Sequence, residues 1–211
     1  MRSVLRTADL NVMAPTRMIW LPGAYHGAQD FVNAGFAEAV SRRDASVDLA
    51  FIDLDLKHLG DRAALQALRS EHVLAARDQG VSIWLAGISL GGLIALDYAA
   101  TYPGECDGVC LLAPYLGNRM LTAEIAAAGL AAWEPGDVAE DDEERRIWRF
   151  IRTRSARPSL YLGFGQSDRF ASAHALLASA LPLGSVNVIA GGHDWRTWTT
   201  LWENFLDSHF S

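Results

Sequence analysis

Six short apolar runs recur along the chain, each closed by turn residues: MIWL (18–21), LAFI (49–52), VSIWLA (81–86), GVCLLA (108–113), SLYLG (159–163) and SVNVIA (185–190). Most are continuously apolar and do not alternate, which is the pattern of strands buried on both faces. Between them lie amphipathic stretches long enough for helices, at 28–43, 61–79, 90–101, 170–181 and 194–210. Strands and helices in such alternation bury each other when the sheet is mostly parallel and the crossovers are right-handed. The expectation is an α/β fold of three layers, a mostly parallel sheet of about six strands with helices on both faces. Ligands of such sheets collect at the carboxyl ends of the strands.

One interval breaks the rhythm. Residues 116–157 are too long for a simple crossover and hold two helical segments divided by EPGD, so they are expected to form a small cap or lid insertion within a single domain spanning 1–211. The run EDDEERR inside it suits the start of a helix, acids first and arginines after. With 50% hydrophobic and 20% charged residues the composition is that of a globular protein with a real core. A net charge of −7 argues against nucleic acid as a partner, because phosphate neutralisation needs a basic face. The two cysteines, Cys106 and Cys110, lack the companions of a metal site and read as buried inert thiols, so neither a metal nor a cofactor is expected. No apolar run has the length of a membrane span and the first residues lack the apolar core of a signal peptide. A cytoplasmic protein without membrane association is expected.

The stretch AGISLGGL (86–93) surrounds Ser89 with Gly87, Gly91 and Gly92. A structural turn, a phosphate-cradling loop and a nucleophile held on a sharp bend all suit it. The phosphate loop lacks its parts, since neither a P-loop lysine nor a G-x-G-x-x-G pattern is present. Context favours the nucleophile: the motif ends an apolar strand and opens the helical stretch LIALDYAATY, and the glycines leave clearance for a strained serine.

A serine hydroxyl needs a base and the base an orienting acid, in the chain order Ser, Asp, His for this architecture. GQSD presents Asp168 after one strand and GGHDW presents His193 after the next. Ser89, Asp168 and His193 thus fall at the carboxyl ends of three strands that a parallel sheet gathers on one edge. Asp194 adjoins the histidine but opens a helix and reads as its N-cap, while Asp53 and Asp55 come too early in the chain. His26 is a candidate pocket residue; His58, His72, His174 and His209 read as surface or core histidines. For an oxyanion, Leu90 supplies one backbone N–H and the turn in MIWLPGAYHG a second, from Ala24 in preference to Tyr25.

As an ordered set, GISLGG, GQSD, GGHDW and LPGAYHG resemble the elbow, acid turn, histidine loop and oxyanion loop of the α/β-hydrolase superfamily over about residues 16–210. LPGAY with a following DF, and GGHDWRTW, are similar to its carboxylesterase branch, which includes feruloyl and S-formylglutathione esterases. The resemblance implies Ser89, Asp168 and His193 as catalytic triad, with Ala24 and Leu90 as oxyanion hole. Two departures stand out. Larger members carry more strands before the one at 18–21, and Ile88 occupies a position often held by histidine, making the wall beside the serine apolar.

The expected function is that of a serine hydrolase, an esterase or thioesterase acting on a small-molecule ester or thioester. A lyase or cofactor-free peroxidase on the same fold, and a catalytically silent binding scaffold, remain alternatives. Tyr25, His26 and Tyr115 are expected to border the substrate. Trp133 and Trp148, with Phe150, are placed in the insertion as lid residues facing an acyl pocket, with core packing the competing reading. Trp195, Trp198 and Trp202 recur at helical spacing with Phe205 and Leu206 and read as the buried stripe of the last helix.

Overall fold

The computed structural model describes residues 1–8, 13–53, 62–154 and 156–210. Its strands are β1 (Ser3–Arg6), β2 (Thr16–Leu21), β3 (Val47–Ile52), β4 (Ser82–Ile88), β5 (Gly108–Leu112), β6 (Ser159–Gly165) and β7 (Val186–Ile189). They form one sheet in the order β1-β3-β2-β4-β5-β6-β7. β1 pairs antiparallel to β3 and every other pairing is parallel. The six expected strands are all present. β1 escapes a reading by apolar runs because SVLR lies on the sheet's edge, with most of its residues exposed.

Each helix covers one face of this sheet. On one side lie α3 (Ala63–Leu68), α4 (Leu74–Arg77), α5 (Leu90–Thr101), α6 (Arg119–Ala128), α7 (Glu143–Thr153) and α8 (Ala171–Ala178), and on the other α1 (Ala28–Asn33), α2 (Phe36–Ser41) and α9 (Trp195–His209). Successive side chains of β2 alternate between the layers: Ile19 and Leu21 enter the core under α5, Met18 and Trp20 the core under α9. Both sets are fully buried, which is why the run is apolar without a break.

The layer under α9 is aromatic. Trp20 meets the edges of Phe36 and Trp202 at 4.9 and 5.0 Å, and the Trp202 indole donates to Phe36 O at 3.0 Å. The stripe expected for the last helix is therefore core for Trp198, Trp202, Phe205 and Leu206, while Trp195 is partly buried and packs against Phe31. The helix expected over 28–43 is broken by Gly35 at φ 83°, and that over 61–79 passes through a π-helical turn at Arg69–Val73. Residue 61 lies outside the described residues.

Between β5 and β6, α6 and α7 pack on the α5 side of the sheet. Ile147, Trp148 and Ile151 of α7 are buried in that layer, and Arg146 donates to Asp97 of α5 at 2.6 Å, both residues being less than 10% exposed. Trp133 and Trp148 are 2% and 0% exposed, with their indoles donating to Glu124 and to Leu116 O. They are core residues and leave no surface for a ligand, which corrects the expectation that they line a substrate pocket; the physical reason is that each buried N–H already has its acceptor inside the fold. Removing one partner of the Arg146–Asp97 pair strands a buried charge. Arg146→Ala is therefore expected to lower folding stability by about 3 kcal/mol, read from urea denaturation.

Candidate active site

Ser89 follows the last residue of β4 and caps α5, with φ 52° and ψ −115°. A non-glycine residue adopts this conformation only when its surroundings impose it. Those surroundings are backbone at close range. A Cβ on Gly91 would lie 2.0 Å from Leu21 O, one on Gly87 would lie 2.2 Å from Gly91 C and O, and one on Gly92 would lie 2.6 Å from Pro114 Cβ. Hydrogen bonds fix the bend: Ser89 N donates to Leu112 O at 3.2 Å, and Ser89 O accepts from Tyr115 N at 2.8 Å.

Two further loops converge on this serine. Gly165 ends β6 and comes so close to Gly191 that a Cβ there would sit 2.4 Å from Gly191 O. Ser167 N donates to that same oxygen at 2.9 Å, tying the turn that carries Asp168 to the loop that carries His193. Asp194 caps α9, accepting from Thr197 N at 2.9 Å and Thr197 Oγ1 at 3.0 Å, and Thr197 Oγ1 in turn accepts from Gly192 N. The residue read as an N-cap is thus also an anchor for the histidine loop.

The outcome is a continuous hydrogen-bonded line. His193 Nε2 lies 3.0 Å from Ser89 Oγ, and His193 Nδ1 lies 2.8 Å from Asp168 Oδ2. Asp168 Oδ1 accepts from Phe170 N at 2.8 Å, an Asx-type bond that the spacing of the two residues permits. Burial pushes the Asp168 carboxyl upward, but the bonds from His193 and Phe170 outweigh it, and the carboxyl lies below the usual aspartate value of 3.8. Phe170 and Trp198 present ring edges and faces to His193 at 5.3 and 5.1 Å, two neighbours that sequence spacing alone did not single out.

The loop after β2 reaches the same place. Gly23 lies against the serine, since a Cβ on it would be 3.4 Å from Ser89 Cβ and 3.5 Å from Ile88 O. A turn closed by His26 N donating to Gly23 O follows, with Tyr25 at φ 67°. Ala24 lies within this turn, next to Gly23, while Leu90, first residue of α5, carries an N–H with no acceptor inside the helix. The Tyr25 side chain is 96% exposed and stands in solvent, so only its backbone belongs to the turn. His26 packs on Trp195 and Trp198 at 5.1 and 6.0 Å. Tyr115 lies directly behind the elbow, its ring 5.6 Å from Phe170.

The remaining candidates fall elsewhere. Asp53 accepts from Ala28 N at 2.7 Å at the start of α1. His174 is fully buried against Pro114 O, and His209 stacks on Phe205 at 4.3 Å. His72 is partly buried within the π-helical turn. Asp55 and His58 lie outside the described residues. Among the described residues no group of acidic, histidine or cysteine side chains has the arrangement of a metal site, and no helix is long and apolar enough to cross a membrane.

A mostly parallel sheet whose fourth strand turns through a strained serine into a helix, with an acid and a histidine following the last two strands, defines the α/β-hydrolase fold. The family model of serine aminopeptidase, S33, matches residues 63–141, a span that includes Ser89 and ends before Asp168 and His193. No curated protein sequence matches the chain. Solved structures do. An S-formylglutathione hydrolase from Staphylococcus aureus superposes with a TM-score of 0.68 at 13% identity, covering 93% of this chain and 84% of its own. A monoacylglycerol lipase from Paleococcus ferrophilus gives 0.65 at 13% identity over 99% and 98% of the two chains. Est1E from Butyrivibrio proteoclasticus with ferulic acid bound gives 0.62 at 13% identity over 97% and 93%.

Two outcomes follow from this geometry. Gly91→Ala cannot keep the bend, and is expected to cost about 3 kcal/mol in urea denaturation through backbone overlap alone. The depressed Asp168 carboxyl makes the unfolded chain bind more protons in the interval below the usual aspartate value, so its stabilisation is complete above that value and lost as pH falls through the lower folded one. Asp168→Asn is expected to flatten the acid limb of stability against pH, measured from about pH 5 down to about pH 2.

Proposed function

We propose that this chain is a serine hydrolase that cleaves a small carboxylic ester or thioester through an acyl-enzyme, working as one domain in which 116–157 is an insertion on the α/β core. The observation that carries the reading is the unbroken line from Ser89 Oγ through the His193 ring to Asp168, at 3.0 and 2.8 Å. His193 Nε2 takes the proton of Ser89 as Oγ bonds to the substrate carbonyl carbon. The oxyanion that forms accepts from the N–H groups of Leu90 and Ala24. His193 then returns the proton to the leaving oxygen or sulfur, which departs and leaves the acyl group on Ser89. Water enters, gives its proton to His193 and attacks the acyl carbon, and the acid is released as Ser89 regains its proton. Asp168 holds Nδ1 protonated and faces the imidazolium formed in each half.

The ester and thioester classes accord with the structural neighbours, which include an S-formylglutathione hydrolase and a monoacylglycerol lipase. The free, buried Cys106 and Cys110 fit a reducing compartment and support a cytoplasmic site of action. An intact line of three groups weighs against the silent scaffold, whose expected mark is a broken one.

The test combines a fluorophosphonate label, mapped to its peptide, with turnover of p-nitrophenyl esters of graded acyl length, S-acyl glutathiones, aminoacyl anilides and cyanohydrins. The expected results are an adduct on Ser89 and hydrolysis of a short ester or thioester. Ser89→Ala and His193→Ala should each lower kcat on the order of 10⁴-fold, with the double substitution no worse than either. Folded protein that takes no label at Ser89 would sink the reading, and turnover of cyanohydrins alone would replace it.

A further inference from the structure

We infer that Glu144 is a positioning residue for the nucleophile, holding the Ser89 backbone in its strained bend through the turn at 115–118; the inference rests on the reading of Ser89 as nucleophile. The Glu144 carboxylate, at the start of α7, is wrapped by that turn. Its Oε1 accepts from the Tyr115 hydroxyl at 2.8 Å, and its Oε2 accepts from Asn118 N at 3.0 Å and Asn118 Nδ2 at 2.6 Å. Gly117, at φ 105°, lets the backbone close round it, since a Cβ there would lie 3.2 Å from Oε2. The opposite side of the same turn grips the elbow, where Tyr115 N donates to Ser89 O.

The rest of α7 reinforces this grip. One helical turn beyond Glu144, the Trp148 indole donates to Leu116 O at 2.7 Å, so side chains at i and i+4 hold the turn from one face of the helix. Between them Arg146 is bonded to Asp97 on α5, the helix that Ser89 caps. α7 thus fixes the serine from both directions of the chain. Tyr115 also meets Phe170, and Phe170 meets His193, so one carboxylate stands behind both reacting side chains. A carboxylate that merely stapled the end of α7 would affect folding stability alone. One that sets the bend governs how fast Ser89 reacts, whatever the acyl group.

The experiment compares wild type, Glu144→Gln, Glu144→Ala, Tyr115→Phe and the double variant Glu144→Ala/Tyr115→Phe. For each, the rate of fluorophosphonate labelling at Ser89 is measured alongside kcat and KM on a short p-nitrophenyl ester, with urea midpoints to verify folding. Glu144→Ala and Tyr115→Phe are each expected to slow labelling and lower kcat about tenfold, the scale of a lost charge-assisted hydrogen bond, with KM changed much less. The double variant should be no slower than the slower single, because both remove one linkage. Glu144→Gln keeps an acceptor for the Tyr115 hydroxyl but turns an NH₂ donor toward Asn118 N and Nδ2, so its rate should fall between those of wild type and Glu144→Ala. Wild-type labelling rates in folded Glu144→Ala, an effect on KM alone, or additive losses in the double variant would overturn the inference. If Glu144→Ala does not fold, Tyr115→Phe decides, and a wild-type rate there overturns it as well. A wild type that takes no label at Ser89 removes the hydrolase reading itself, which is a different result from a labelled wild type matched by its variants.

Discussion

Everything at the functional edge of this fold is arranged around a single serine held at φ 52° and ψ −115°. Such a conformation costs about 1–3 kcal/mol and survives only where neighbouring structure overdetermines it. Here the neighbours are the carbonyls of β2, the first turn of α5 and the turn after β5. They approach so closely that glycine is the residue compatible with Gly87, Gly91 and Gly92. The strain has company. Tyr25 at φ 67° and Ala113 at φ 47° are also non-glycine residues in left-handed conformation, each just beyond the carboxyl end of a strand next to β4 in the sheet. The sheet supplies rigid ends, and the strained residues redirect the chain from those ends across a common site.

The fold was largely legible because its signal is collective. Six continuously apolar runs and the amphipathic stretches between them allow few architectures, and residues such as Ile19 and Trp20, pointing into opposite layers, show why neither face of a run can be polar. β1 was illegible for the complementary reason: an edge strand with exposed side chains carries no such run. Breaks within helices were equally hidden. Gly35 ends one helix and caps another, and the π-helical turn at Arg69–Val73 falls on RSEHV, which holds neither glycine nor proline to mark it.

At the site, legibility followed the chemistry of the turns. Ser89, Asp168 and His193 sit in motifs whose glycines exist to allow close backbone contacts, and Gly165 against Gly191 is such a contact between the acid and histidine loops. Trp133 and Trp148 are ambiguous in sequence because apolar residues between strands look alike whether they face a ligand or the core. What separates the readings is the partner of each indole N–H, Glu124 in one case and Leu116 O in the other, and tertiary contacts of that kind leave no mark at fixed spacing. Glu144 carries no distinguishing mark for the same reason, since it lies within a run of charges that suits a solvated helix start.

The segment between β5 and β6 therefore has a different physical character from a loose cover. Its second helix is amphipathic, and it anchors itself with ionic and polar side chains as well as apolar ones: Arg146 to Asp97, Trp148 to Leu116 and Glu144 to the turn at 115–118. Apolar burial alone is tolerant of sliding, because dispersion contacts are non-directional. Directed hydrogen bonds from three positions of one helix fix its register against α5 and the turn together. On the proposed reading a proton moves between Ser89 and His193 over a 3.0 Å contact, and precision of that kind matters there, since a shift of the elbow by a fraction of that distance breaks the alignment on which transfer depends. The hydrophobic layers establish that the chain folds, and the polar bonds from α7 determine where, within that fold, the serine stands.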